Sequence, residues 1–157
     1  MNTQSAFPSL AVSHSKSVAQ VLPIPLASLE QIMIIDDQQI EIAITSRIIK
    51  VAGFTGSIIT YTSVIEALLY LSSQPYGRPF SGAVFLDLAI PVFNGFDFLE
   101  AIEHNANLLD RNALVYVLTS SNSQLDYERV QKIKCVTRYL SKPVTLNTLQ
   151  TLTVSQE

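Results

Sequence analysis

Four short apolar runs in this chain each end on a polar residue, and that punctuation constrains the fold more than any other feature. Met33-Ile34-Ile35 runs into Asp36-Asp37, and Ala83-Val84-Phe85-Leu86 into Asp87. Leu114-Val115-Tyr116-Val117-Leu118 runs into Thr119-Ser120, and Tyr139-Leu140-Ser141 leads to Lys142-Pro143. Continuous apolar runs of this length, bounded by polar or turn residues, read as strands of a parallel sheet covered on both faces. Such sheets bind ligands outside the carboxyl ends of their strands. Three carboxylates, a hydroxyl and an ammonium, scattered through the sequence, are therefore expected on one rim.

Between these runs lie segments with helical spacing. The first strand is expected at about Gln31–Ile35, followed by a helix over about Gln38–Ala52, where Ile40, Ala43, Ile44, Ile48, Val51 and Ala52 recur near helical spacing. Gly53 is a plausible stop. A second strand, Ser57–Tyr61, precedes Ser63-Val64-Ile65-Glu66, the pattern of a capping box, so a helix is expected from there to Ser72. Gln74 to Ser81 carries two prolines and a glycine and reads as a loop. Later elements are expected at Ala83–Leu86 (strand), Phe96–Asn105 (helix), Leu114–Leu118 (strand), Gln124–Lys134 (helix) and Val136–Leu140 (strand). A last short helix carries Leu146, Leu149 and Leu152. Strict alternation of five strands and five helices predicts an α/β fold with an open doubly wound parallel sheet.

Composition narrows the function. The 157 residues suit one domain, and an apolar fraction of 48% with only 15% charged residues fits extensive burial. A net charge of −3 gives no electrostatic footprint for nucleic acid or an anionic membrane. No apolar stretch approaches the ~20 residues of a membrane span. The Ser-, Gln- and Pro-containing N-terminus lacks a basic region followed by an unbroken apolar one, so a cytoplasmic protein is expected. The single Cys135 excludes an intramolecular disulfide and reads as a buried, inert thiol.

The rim supports phosphoryl chemistry. At ~5 Å and an effective dielectric of ~20, each pair of like charges costs roughly 3 kcal/mol, and a cation reverses that energy. Hard carboxylate oxygens with few other donors suit Mg²⁺. A lysine and a hydroxyl beside them would contact phosphoryl oxygens, and a carboxylate can itself be the nucleophile, giving an acyl phosphate. Each feature also has a plainer reading: Asp36-Asp37 as a helix N-cap, Asp87 as a turn residue, Thr119-Ser120 as a cap and Lys142 as a surface lysine. Their conjunction, in fixed order at the ends of four strands, favours a site.

Over roughly Gln31 to Leu152 the chain resembles the receiver domain of bacterial two-component response regulators. Asp36-Asp37, the string Leu86-Asp87-Leu88-Ala89-Ile90-Pro91-Val92-Phe93-Asn94-Gly95, Thr119 and Lys142-Pro143 carry the resemblance. It implies a flavodoxin-like strand order 2-1-3-4-5. It implies that Asp87 is the phosphoacceptor, that Asp37 binds Mg²⁺ directly and Asp36 mainly through water, and that the Ala89 carbonyl is a further ligand. Thr119 and Lys142 would contact the phosphoryl group. Tyr139 would be the aromatic switch, turning inward as Thr119 moves. Implied partners are a histidine kinase or histidine phosphotransfer protein, and an effector on the face of helix four, strand five and helix five. Neither nucleic acid nor membrane is an expected partner.

Residues 30–157 would be the receiver domain, and residues 1–29 a low-charge extension outside the family pattern, expected to be flexible. The chain ends soon after Leu152, so a stand-alone regulator without an output domain is expected. The interval from Asp37 to Asp87 is slightly longer than usual, a surface-loop change. Ala89 and Ser121 offer no carboxylate or amide to steer a hydrolytic water, so slow to moderate dephosphorylation is expected. A phosphorelay intermediate and, less in keeping with Ala89, an aspartyl-nucleophile phosphatase are the alternatives. A receiver-like module that is never phosphorylated is disfavoured by the intact site. His104 near a helix end, and Asp97, Glu100 and Glu103 along helix three, read as solvated surface; His14 lies in the extension.

Overall fold

The computed structural model describes residues 26–152; residues 1–25, most of the expected extension and His14 among them, and residues 153–157 lie outside the described residues. Strands β1 (Gln31–Ile35), β2 (Ser57–Tyr61), β3 (Ala83–Asp87), β4 (Leu114–Thr119) and β5 (Arg138–Ser141) alternate with helices α1 (Gln39–Val51), α2 (Val64–Ser72), α3 (Gly95–His104), α4 (Gln124–Gln131) and α5 (Leu146–Leu152). Every strand pair is parallel, in the order β2-β1-β3-β4-β5. This is the doubly wound, flavodoxin-like sheet expected from the sequence.

Strand alternation divides the core between two layers, because successive side chains leave opposite faces. Met33, Ile35, Val84, Leu86, Val115 and Val117 join one cluster with residues of α2 and α3. Ile32, Ile34, Phe85, Tyr116, Leu118 and Leu140 join the other with Ile49 of α1 and Leu149 and Leu152 of α5. Full burial of each such side chain contributes about 1.5–3 kcal/mol. Leu26 belongs to the second cluster at 3% exposure, on a 3-10 turn spanning Leu26–Ser28. The sequence boundary at residue 30 left Leu26 in the extension; its burial places it with the packed domain.

Helix ends depart from the sequence reading at several points. Ser63 is the N-cap of α2, but its side chain makes no capping hydrogen bond; buried Val64 anchors that end instead. The capping box is at Asn94: its side chain accepts from the Phe96 and Asp97 backbone N–H groups, while the Asn94 N–H donates to Asp97. Asp97 is thus a cap partner and not part of a solvated face. Helix α4 ends at Gln131, three residues early, and β5 starts at Arg138 and not Val136. In the 73–82 loop, Phe80 is buried and its backbone bridges to Leu109 in parallel, which pins the loop to the body.

Candidate phosphoryl-transfer site

The parallel register brings the expected residues to one rim. Asp87 ends β3 opposite Leu118, and Thr119 ends β4 opposite Ser141. The Lys142 N–H donates to the Thr119 carbonyl at 2.8 Å, extending the ladder one step so that the lysine leaves the sheet beside the threonine. Asp36 follows β1, and its N–H donates to the Tyr61 carbonyl of β2. Asp36, Asp87 and Thr119 are all buried. The Lys142–Pro143 peptide is cis.

Asp36, Asp37 and Asp87 each offer a carboxylate oxygen, all within 4.8 Å of one another. Lys142 Nζ donates to Asp36 Oδ2 at 2.5 Å and lies 3.4 Å from Asp87 Oδ2. Asp36 Oδ1 accepts from the Gln38 N–H, and Asp87 Oδ1 from the Ala89 N–H. Gln38, not an aspartate, is the N-cap of α1, so the plain capping reading of Asp36-Asp37 does not hold. Asp37 Oδ1 is buried without a hydrogen-bond partner. A buried carboxylate oxygen left unpaired is costly, and its place beside two further carboxylates is the arrangement that a hard divalent cation satisfies.

Electrostatics reflect this crowding. Burial raises the pKa of Asp87 above its ordinary value; the Lys142 charge and the Ala89 N–H oppose that rise, and the Asp36 charge adds to it. Burial works to lower the pKa of Lys142, but the hydrogen bond to Asp36 and the charges of Asp87 and Asp36 outweigh it and leave the pKa raised. The lysine stays a cation at any physiological pH.

The loop after β3 is shaped by one glycine. A Cβ at Gly95 would stand 2.6 Å from the Asp87 carbonyl oxygen and 2.8 Å from Leu88 Cα, so only glycine lets α3 start against the strand end. The Gly95 N–H donates to the Leu88 carbonyl. Neither this approach nor the adjacent Asn94 box entered the sequence reading, although Asn94-Gly95-Phe96-Asp97 carries the Asn-x-x-Asp spacing that signals the box.

Thr119 Oγ1 accepts from the Ser121 N–H at 3.0 Å. The Tyr139 ring packs edge-on against Tyr127, with centroids 5.4 Å apart, and its hydroxyl is buried without a partner. In this arrangement the Tyr139 hydroxyl is buried while Thr119 Oγ1 holds the Ser121 N–H. Val130 of α4 is buried in the same apolar cluster against which Tyr139 packs. Away from the site, burial first and the Glu103 charge second push the Cys135 thiol up to about 11, in keeping with an inert cysteine. Exposed His104 has Nδ1 2.8 Å from the Glu100 carbonyl oxygen.

The model of the response regulator receiver domain family matches residues 32–153, and the chain belongs to that family. A probable methanogenesis regulatory protein, FilR2, of Methanothrix harundinacea is 32% identical over 120 residues, which are 76% of each chain. The likeness therefore extends to an archaeal protein. A two-component response regulator from Cytophaga hutchinsonii superposes with a TM-score of 0.67 at 26% identity, over 79% of this chain and 93% of that one. The Mn²⁺-bound form of response regulator Rcp1 shares the fold with a TM-score of 0.64 at 22% identity, over 79% and 89% of the two chains. Among the described residues no helix is long and apolar enough to cross a membrane.

Proposed function

We propose that this protein is a phosphoacceptor: Asp87 takes a phosphoryl group from a phosphohistidine of a histidine kinase or histidine phosphotransfer protein, and the modified chain signals by altered affinity for a partner. The observation that carries this reading is the convergence of three carboxylates and one lysine on a buried rim, with Asp37 Oδ1 left unpaired.

An Asp87 carboxylate oxygen attacks phosphorus, a P–O bond forms, and the donor P–N bond breaks with its electron pair returning to the imidazole nitrogen. Lys142, 3.4 Å from Asp87, balances charge on the transferring group, and Thr119 donates its hydroxyl to a phosphoryl oxygen once it releases Ser121. Asp37 and Asp87 would hold Mg²⁺ directly, with the Ala89 carbonyl, and Asp36 mainly through water. The ion supplies charge neutralisation to the phosphoryl oxygens. The Mn²⁺-bound relative supports a divalent site by analogy.

Ala89 stands two residues after Asp87, where aspartyl phosphatases place a second acid. This favours a stable acyl phosphate over turnover of small phosphate esters. Within the cell the expected compartment is the cytoplasm, and the effector surface is the face of α4, β5 and α5, where Leu125 and Tyr127 are exposed.

The test is incubation with a small phosphodonor and Mg²⁺, followed by intact mass. One added phosphoryl group is expected in the wild type and none in Asp87→Asn. Full labelling of the Asn variant would reject Asp87 as the acceptor.

A further inference from the structure

The two edges of the sheet are built differently. On the β5 edge, Arg138 lies in the strand, exposed Lys132 and Lys134 precede it and Pro143 follows it. Charges and proline at an edge discourage pairing with another chain. The β2 edge has no such guard: from Val51 to Ile65 there is no charged residue and no proline.

The hydrogen bonding of β2 fixes which of its backbone groups are free. The Ser57 N–H donates to the Glu30 carbonyl, and the Tyr61 carbonyl accepts from Asp36 N–H. Odd-numbered residues of β2 therefore face β1, and by strand alternation Ile58 and Thr60 turn their N–H and C=O groups outward. Among the described residues nothing lies beyond β2 in the sheet. These outward groups are symmetric about Ile59.

The geometry points to this edge as a self-association surface, with β2 of a second copy of this chain pairing antiparallel to it across a two-fold axis at Ile59. Ile58 would then stand opposite the second copy's Thr60, and Thr60 opposite its Ile58. Each of these pairs exchanges two N–H···O bonds. Ile59 would meet its own copy in a close, non-hydrogen-bonded pair, on the side chain face that carries Tyr61 and its neighbour Tyr70. Ser57 would stand opposite Tyr61. Two copies of an uncharged strand meet without like-charge repulsion, and an isologous contact closes on itself without forming a fibre. Because the strands run antiparallel, the rims bearing Asp87 point in opposite directions and both β5 edges stay free.

Sedimentation of the full chain over a concentration series, with hydrogen exchange of single amides, tests this surface. A reversible monomer–dimer equilibrium is expected, with Ile58 and Thr60 amides gaining protection as concentration rises. Thr60→Pro removes an outward N–H that the β1–β2 ladder does not use, and dimerisation should weaken at least about tenfold, while Thr60→Val should leave it unchanged. Ser57→Lys restores the missing charge and should also weaken the dimer, which keeps the test decisive if the proline variant folds poorly. A wild type that stays monomeric at several hundred micromolar overturns the proposal. So does a dimer that is indifferent to both Thr60→Pro and Ser57→Lys.

Discussion

Lys142 lies closer to Asp36 than to the expected phosphoacceptor, 2.5 Å against 3.4 Å from Asp87. One ammonium thus bridges two buried carboxylates and offsets much of their mutual repulsion. The raised pKa of Lys142 means this stabilisation is complete below 10.5 and is lost as the pH climbs past the folded-state value. Lys142→Met should therefore destabilise the metal-free protein by about 3 kcal/mol, the usual cost of leaving a buried charge unpaired. Melting in chelator should fall on the order of 10 °C. Added Mg²⁺ should recover more stability in the variant than in the wild type; equal gains would mean that the lysine does not offset the carboxylates.

Asp37 has the opposite role in the apo protein. Its buried Oδ1 has no partner, so it adds repulsion and returns no hydrogen bond there. Asp37→Asn should lower Mg²⁺ affinity by calorimetry while metal-free stability holds level or rises by a few kcal/mol at most. An unchanged titration would remove Asp37 from the metal site.

Asp87 makes a pH-dependent prediction. Burial raises its folded-state pKa above the ordinary 3.8, so the native state takes up a proton at a pH where the unfolded chain has not. Wild-type stability therefore gains as pH falls through the folded pKa, relative to a variant that cannot titrate. In chelator, Asp87→Asn should be the more stable protein at neutral pH. Its advantage should shrink with acidification and vanish below 3.8. Parallel melting curves from neutral to acid pH measure the difference, and a constant gap across that range would contradict it.

Strands and site rim were legible because both rest on short apolar runs ending on polar residues, a pattern that parallel burial imposes directly. The details that escaped depend on contacts across space. Ser63 has the spelling of a capping box but no capping bond, whereas Asn94 and Asp97 form one with an asparagine and an aspartate in place of the usual Ser/Thr and Glu/Gln. Leu26 sits among Pro and Ser in a segment without periodicity, and only its contact with the α1–α5 layer marks it as core.

Leu26 consequently bounds any truncation. A chain beginning at Leu26 retains the buried side chain, whereas one beginning at Ser28 loses it. Leu26→Ala should cost about 2–4 kcal/mol by denaturant titration, and deletion through residue 27 should cost at least as much. Equal stability of the two truncated chains would show that the core closes without this residue.

Tyr139 offers the last prediction because two of its properties can be separated. Its hydroxyl is buried without a partner, while its ring packs against Tyr127 and the first apolar cluster. Removing only the hydroxyl should relieve an unsatisfied polar group, so Tyr139→Phe should gain about 1 kcal/mol and melt roughly 2–4 °C higher. Removing the ring empties the space between β5 and α4, and Tyr139→Ala should lose about 3 kcal/mol at this half-buried position. If the ring also carries the signal to the α4–β5–α5 face, Tyr139→Ala should accept a phosphoryl group on Asp87 at a nearly normal rate yet show no phosphorylation-dependent change in partner affinity. Coupling of this kind is ordinarily worth ~1–3 kcal/mol, or roughly 5- to 150-fold in affinity. Tyr139→Phe, which keeps the ring, should retain that change. An equal phosphorylation-dependent gain in the Ala variant and the wild type would place the switch on another residue.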